Sequence, residues 1–129
     1  MAIYKGSEKS SLETALNNYL KKNGVKKGLR SYLAEKTGYS NYYLPDLLNG
    51  KAEVTYRHIV TFVVALNMSV RDAIDFTGEL GYSSLIKNSC KDYNYYYEII
   101  MDVNLRENLF SANEYLAKHS CKLLGGAGI

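Results

Sequence analysis

The stretch Leu29-Arg30-Ser31-Tyr32-Leu33-Ala34-Glu35-Lys36-Thr37-Gly38-Tyr39-Ser40-Asn41-Tyr42-Tyr43-Leu44-Pro45-Asp46-Leu47-Leu48-Asn49-Gly50-Lys51 decides the fold. Leu29, Tyr32 and Leu33 share one helical face, which predicts a helix over about 28–36 ending at Thr37-Gly38. Ala34 is small where a second helix must cross closely, and Gly38 can take the left-handed turn between the two. Ser40 can cap the next helix, which Leu44, Leu47 and Leu48 anchor inward while Asn41, Tyr42, Pro45 and Asp46 face out. Asn49-Gly50 stops it. Pro45 cannot donate to the Asn41 carbonyl and crowds it. Either the helix is bent, or it begins late and Asn41 to Leu44 form an irregular turn.

Working outward, helix signals punctuate the whole chain. Ser10-Ser11-Leu12-Glu13 reads as a capping box, opening a helix with Leu12, Ala15, Leu16, Tyr19 and Leu20 on one face and Asn23-Gly24 at its end. Thr55 can cap a fourth helix with Ile59, Phe62, Val63 and Leu66 buried. Ser69-Val70-Arg71-Asp72 opens a fifth with Val70, Ala73, Ile74 and Thr77 inward. Beyond Gly78 and Gly81, Ser89 caps a helix carrying Tyr93, Tyr96, Tyr97, Ile100 and Met101. Arg106-Glu107-Asn108 breaks it, and Ser111 caps a last short helix with Tyr115 and Leu116. The tail Gly125–Ile129 reads as frayed. No window alternates with the period of a strand, so the chain is predicted to be all-α.

Charge is unevenly spread. Residues 1–36 hold eight Lys/Arg against three Glu, a net of +5, while the whole chain carries only +3. Within that end, Lys21, Lys22, Lys26, Lys27 and Arg30 put five cations into ten residues. Such a run is either a solvated loop or an edge that touches phosphates, where clustered cations release counterions from a polyanion.

A helix-turn-helix presents the N-terminal side chains of its second helix to the major groove. The segment resembles the lambda-repressor-like (XRE-type) regulators of phages and mobile elements, through Leu33-Ala34-Glu35-Lys36-Thr37-Gly38-Tyr39-Ser40 and Leu47-Leu48-Asn49-Gly50-Lys51. The resemblance covers about residues 10–80 and continues through Val64-Ala65-Leu66-Asn67-Met68-Ser69-Val70. Gly81-Tyr82-Ser83, Asn113-Glu114 and Leu123-Leu124-Gly125 look like an extension found in some Gram-positive members. It implies a five-helix DNA-binding domain over 1–80 and a two-helix extension over 81–129, which is also a possible dimerisation unit. The function implied is binding of double-stranded DNA as a homodimeric transcriptional repressor. By the same resemblance Arg30 touches phosphate or a base edge, and Asn41, Tyr42 and Asp46 are exposed on the recognition helix. Asn49 and Lys51 lie along the DNA backbone. Tyr43 joins Tyr39 and Tyr42 in crowding the helix tip, and the lysine run flanks the surface.

Other classes are set aside on specific grounds. No apolar leader or membrane-length run occurs, so a cytoplasmic protein without membrane partners is expected. Cys90 and Cys121 read as reduced thiols, and His58 and His119 have no metal-ligand spacing, so no metal is expected. No nucleophile has a nearby base, no glycine-rich phosphate loop occurs and no paired carboxylates suggest acid–base work. Neither an enzyme nor a cofactor is expected. The Tyr93–Tyr97 cluster, at helical spacing, reads as core or dimer interface before it reads as a base-stacking surface. The alternative function is a helix-turn-helix-derived inhibitor, such as an anti-CRISPR or an antitoxin, gripping a protein partner through its tyrosine-rich surface.

Overall fold

The computed structural model describes residues 12–24, 29–81, 91–102, 104–105 and 107–126, with only the backbone of residues 29–31. The helices are α1 (Leu12–Lys22), α2 (Leu29–Thr37), α3 (Tyr43–Leu48), α4 (Tyr56–Ala65), α5 (Val70–Glu79), α6 (Lys91–Met101) and α7 (Leu109–Lys118). The described residues are all-α and include no strand.

Helix α4 is the hub. Tyr56, His58, Ile59, Val60, Thr61, Phe62, Val63 and Val64 are all buried, which covers nearly its whole circumference rather than one stripe. Helices α2, α6 and α7 pack on it, while α1 packs on α3 and α5. One continuous apolar core therefore runs from Leu12 and Leu16 through Leu44, Leu47 and Phe62 to Ile99 and Leu116. Thr55 starts α4 with a reciprocal cap: its hydroxyl accepts from the His58 N–H, and its own N–H donates to His58 Nδ1 at 3.0 Å.

Most predicted elements are present, with shifts in which face is buried. α1 buries Leu12, Ala15, Leu16 and Leu20 and ends at Asn23-Gly24, where both the Asn23 backbone and side-chain N–H groups donate to the Tyr19 carbonyl. Its predicted Ser10 cap lies outside the described residues. In α5 the inward set is Ala73, Phe76, Thr77 and Leu80, whereas Val70 is half-buried and Ile74 is exposed. The stripe has rotated so that the larger Phe76 takes the core. α6 buries Tyr96, Ile99 and Ile100 and leaves Met101 exposed, with Tyr93 half-covered against the Tyr56 ring at 5.1 Å. The predicted Ser89 cap lies outside the described residues. Helix α7 starts two residues before the predicted cap: Asn108, not Ser111, is the N-cap and accepts the Ser111 N–H at 2.8 Å. The early start lets Leu109 join Ala112 and Leu116 on the buried face.

The tail departs most from expectation. As far as Gly126 it is tied down along its length, not frayed. Lys91 Nζ donates to the His119 carbonyl at 2.8 Å, and Tyr96 Oη donates to the Lys122 carbonyl at 2.7 Å. Asn113 holds Leu124 from both sides, accepting its N–H at 2.7 Å and donating to its carbonyl at 3.1 Å. The Gly125 N–H donates to Thr61 Oγ1, and the Gly126 N–H reaches the Thr37 carbonyl at the end of α2 at 3.0 Å. Cys121 and Leu124 are buried, so each backbone polar group drawn in with them needs a partner, and side chains supply several. Residues 127–129 lie outside the described residues.

Candidate nucleic-acid interface

Helix α2 and helix α3 are joined by a turn that the sequence specifies atom by atom. Thr37 Oγ1 donates back to the Leu33 carbonyl at 2.7 Å, and Gly38 follows with φ +78°. That conformation is left-handed and costs a side-chain-bearing residue steric strain. Ser40 then organises the start of α3. Its hydroxyl accepts the Tyr43 N–H at 2.9 Å and its carbonyl accepts the Leu44 N–H at 3.0 Å. Helix α3 therefore begins late, at Tyr43, and Pro45 falls within the first turn, where a missing N–H costs least.

Leu44, Leu47 and Leu48 are buried beneath α3, and Asn41 and Tyr42 project at its leading end. Tyr42 is 90% exposed. Asp46 is only half-exposed. Past the helix, Asn49 and Lys51 are both exposed, and Asn49 Oδ1 accepts the Lys51 N–H at 3.0 Å, which fixes the loop between them.

The three tip tyrosines do not behave alike. Tyr39 is buried, with its ring against Tyr43, His58 and Phe62, and burial pushes its phenol above the ordinary value while the Thr61 hydroxyl bond opposes that. Tyr43 is 38% exposed, and its hydroxyl lies 2.8 Å from His58 Nε2. Only Tyr42 is fully presented. The backbone N–H of Thr55 can only donate to His58 Nδ1, so the tautomer assigned from this network places the proton on Nε2, which donates to Tyr43 Oη. Burial, and to a lesser extent the neighbouring Arg57 charge, lower the His58 pKa below its ordinary value. From the sequence His58 shows only that it lacks metal-ligand spacing. In the fold it caps α4 and holds α3 through Tyr43.

Two side chains of the basic run, Lys21 and Lys22, are described. Lys21 is exposed, and Lys22 pairs with Asp72 of α5 at 3.0 Å, which turns it toward that helix. Lys26 and Lys27 lie outside the described residues, and so does the side chain of Arg30. Cys121 is buried, with its Sγ donating to the His119 carbonyl at 3.7 Å, and Cys90 lies outside the described residues. His119 stacks on the Tyr95 ring at 4.3 Å. Among the described residues no helix is long and apolar enough to cross a membrane, and no three acidic, histidine or cysteine side chains cluster as metal ligands. No family model, no curated protein and no solved structure matches the chain.

Proposed function

We propose that the chain is a double-stranded-DNA-binding transcriptional repressor of a phage or mobile element, of the lambda-repressor-like (XRE-type) helix-turn-helix kind. In this reading α2 braces α3, and α3 enters the major groove. The carrying observation is that Asn41 and Tyr42 are exposed in the turn that leads into α3, a short helix whose inner face, Leu44, Leu47 and Leu48, is locked in the core. A reader helix must be held rigidly from behind while its leading side chains stay free, and this arrangement meets both needs. Asn41 can pair bidentately with adenine, Asp46 can accept from a cytosine amino group, and Lys21 and Lys51 serve phosphates.

The homodimer belongs to the same proposal. Tyr93 and Tyr96 pack inside the protomer, so the contact between copies falls to outward apolar groups on α5 and the extension. Phe110, 68% exposed, and Ile74 are the candidates.

Selection of random duplex DNA on the purified chain tests the reading, and a palindromic consensus is the expected result. Affinity should fall steeply with salt, with a logarithmic slope of roughly −0.9 per phosphate neutralised. Asn41→Ala should alter base preference more than bulk affinity, and Arg30→Ala should weaken binding to all sequences. If neither substitution changes binding, α3 does not face the duplex. One observation favours the second reading, a protein-binding inhibitor of the anti-CRISPR or antitoxin kind: Tyr42 offers a large, rigid, nearly free ring at the tip. A partner captured from host lysate that survives nuclease digestion, and is lost on Tyr42→Ala, supports that reading.

A further inference from the structure

We infer that the cleft between the α2–α3 turn and the C-terminal tail is a binding site for a small molecule bearing a carboxylate or phosphate, held by Arg57, Tyr43 and Ser40. The cleft has a volume of about 350 Å³. That lies at the small end of the range of ligand sites, roughly 300–1,000 Å³. Its walls come from three parts of the chain: the turn at Gly38–Ser40, the start of α4 at Arg57 and His58, and the tail at Gly125 and Gly126.

The lining groups favour a negative guest. Among the described residues no carboxylate lines the cleft, and Arg57 contributes a fixed positive charge. Arg57 Nε donates to the Leu123 carbonyl, which anchors one edge of the guanidinium and leaves its terminal nitrogens as donors. Tyr43 Oη accepts from His58 Nε2–H, so its own hydrogen is available to donate. The Ser40 hydroxyl already accepts from the Tyr43 N–H and likewise has a hydrogen to give. Several backbone donors nearby are taken: Gly38 N–H by Ala34, Tyr39 by Thr37 Oγ1, Gly125 by Thr61 and Gly126 by Thr37. Recognition therefore falls to three side chains with one shared preference, an acceptor carrying negative charge. The site is preorganised because the tail is clamped on both sides of Leu124, and because Tyr43 is held through His58. A ligand there would touch the first residue of α3.

Amide NMR titration of the whole chain with inorganic phosphate, and separately with acetate, tests this at constant ionic strength with chloride as the reference. The expected result is saturable shifts at Ser40, Tyr43, Arg57 and Gly125. Losing a charged hydrogen bond should weaken binding about tenfold in Arg57→Gln. Because that change also frees the Leu123 carbonyl, Tyr43→Phe is the second variant, with a several-fold loss expected. Shifts no larger than those chloride gives, or spread over Lys21, Lys22 and Lys51, would overturn the site, as would unchanged titration of both variants. A parallel titration with a short duplex separates the source of the anion. If the duplex moves these amides and free phosphate does not, the cleft seats the nucleic-acid backbone and the small-molecule site is wrong. Phosphate binding needs no DNA activity, so the two proposals fail independently.

Discussion

Replacing Gly126 with alanine should release the end of the tail and nothing more. A Cβ built on Gly126 would lie 2.2 Å from the Gly38 carbonyl oxygen, 2.6 Å from its carbon and 2.9 Å from the Tyr39 Cα. All three neighbours are backbone, so no flexible side chain can give way. Restoring ordinary contact requires the strands of chain to part by roughly 1 Å, since attraction turns to repulsion below about 3.5 Å between heavy atoms. The Gly126 N–H bond to the Thr37 carbonyl, 3.0 Å long, cannot survive that movement. Its net worth is about 0.5–1.5 kcal/mol, and leaving the Thr37 carbonyl unpaired raises the total toward about 2 kcal/mol. For a chain of this size that lowers Tm by roughly 3–8 °C. The damage should stop at Leu124, because Asn113 holds that residue by two bonds of its own. Urea unfolding with an unchanged slope, joined to amide exchange, reads both parts. Gly125 and Gly126 should lose protection while Leu124 keeps it. Wild-type protection at Gly126 in the variant would refute the close approach, and loss at Leu124 would show that the tail undocks as one unit.

Asn113→Ala removes both bonds to Leu124 and should cost about 1–3 kcal/mol, with protection lost from Leu124 onward; a change within 0.3 kcal/mol in denaturant unfolding contradicts the clamp. Leu47→Ala, at a fully buried position beneath α3, should cost about 2–5 kcal/mol, and calorimetry showing less than 1 kcal/mol would place that side chain elsewhere. His58 supplies a pH prediction. Its folded pKa lies below the ordinary 6.5, so between those two values the unfolded chain binds more protons than the folded one. The stabilisation is fully present above about pH 6.5 and is lost as pH falls toward the folded value. His58→Gln keeps a side chain suited to the capping box but does not titrate, so it should flatten the fall in Tm between pH 7 and 5. Identical profiles for the two proteins would show that His58 carries none of it.

What could be read from the sequence was what local spacing controls. Thr55 and Ser69 are the caps expected, because a cap needs only a hydroxyl and an N–H two or three residues on, whereas Ser40 accepts the Tyr43 N–H from two residues before Tyr42, the N-cap of the late-starting α3. Gly38 was legible for a similar reason: a turn between two helices needs one left-handed residue, and glycine pays least for it. Face assignments in α5 and α6 slipped by a fraction of a turn because periodicity fixes the width of an apolar stripe better than its centre. Which of Ile74 and Phe76 is buried depends on what stands opposite, and that is tertiary information.

The two features that matter most for the candidate site were hidden for the same reason. Each links residues far apart in sequence. The tail is held by Asn113, Thr61 and Thr37, eleven, sixty-four and eighty-nine residues before their partners, and no periodicity announces such bonds. A run ending in Gly125-Gly126-Ala127-Gly128 reads as loose because glycine lowers the cost of disorder, yet the same missing Cβ lets Gly126 approach Gly38 within bonding distance of Thr37. The tyrosines left a fainter trace. Tyr39 and Tyr43 stand four apart, as do His58 and Phe62, and those two spacings are complementary when a turn and a helix cross. Counting tyrosines put three at the tip; pairing the spacings would have put two against α4 and left Tyr42 alone outside. That distinction bears on function, because a helix tip held by Tyr43 and His58 offers a partner one aromatic ring and Asn41 rather than an adaptable aromatic patch. In the DNA-binding reading proposed above, a single ring beside an amide able to pair with a base fits a groove edge, while the same ring taken alone is what the protein-binding alternative would use.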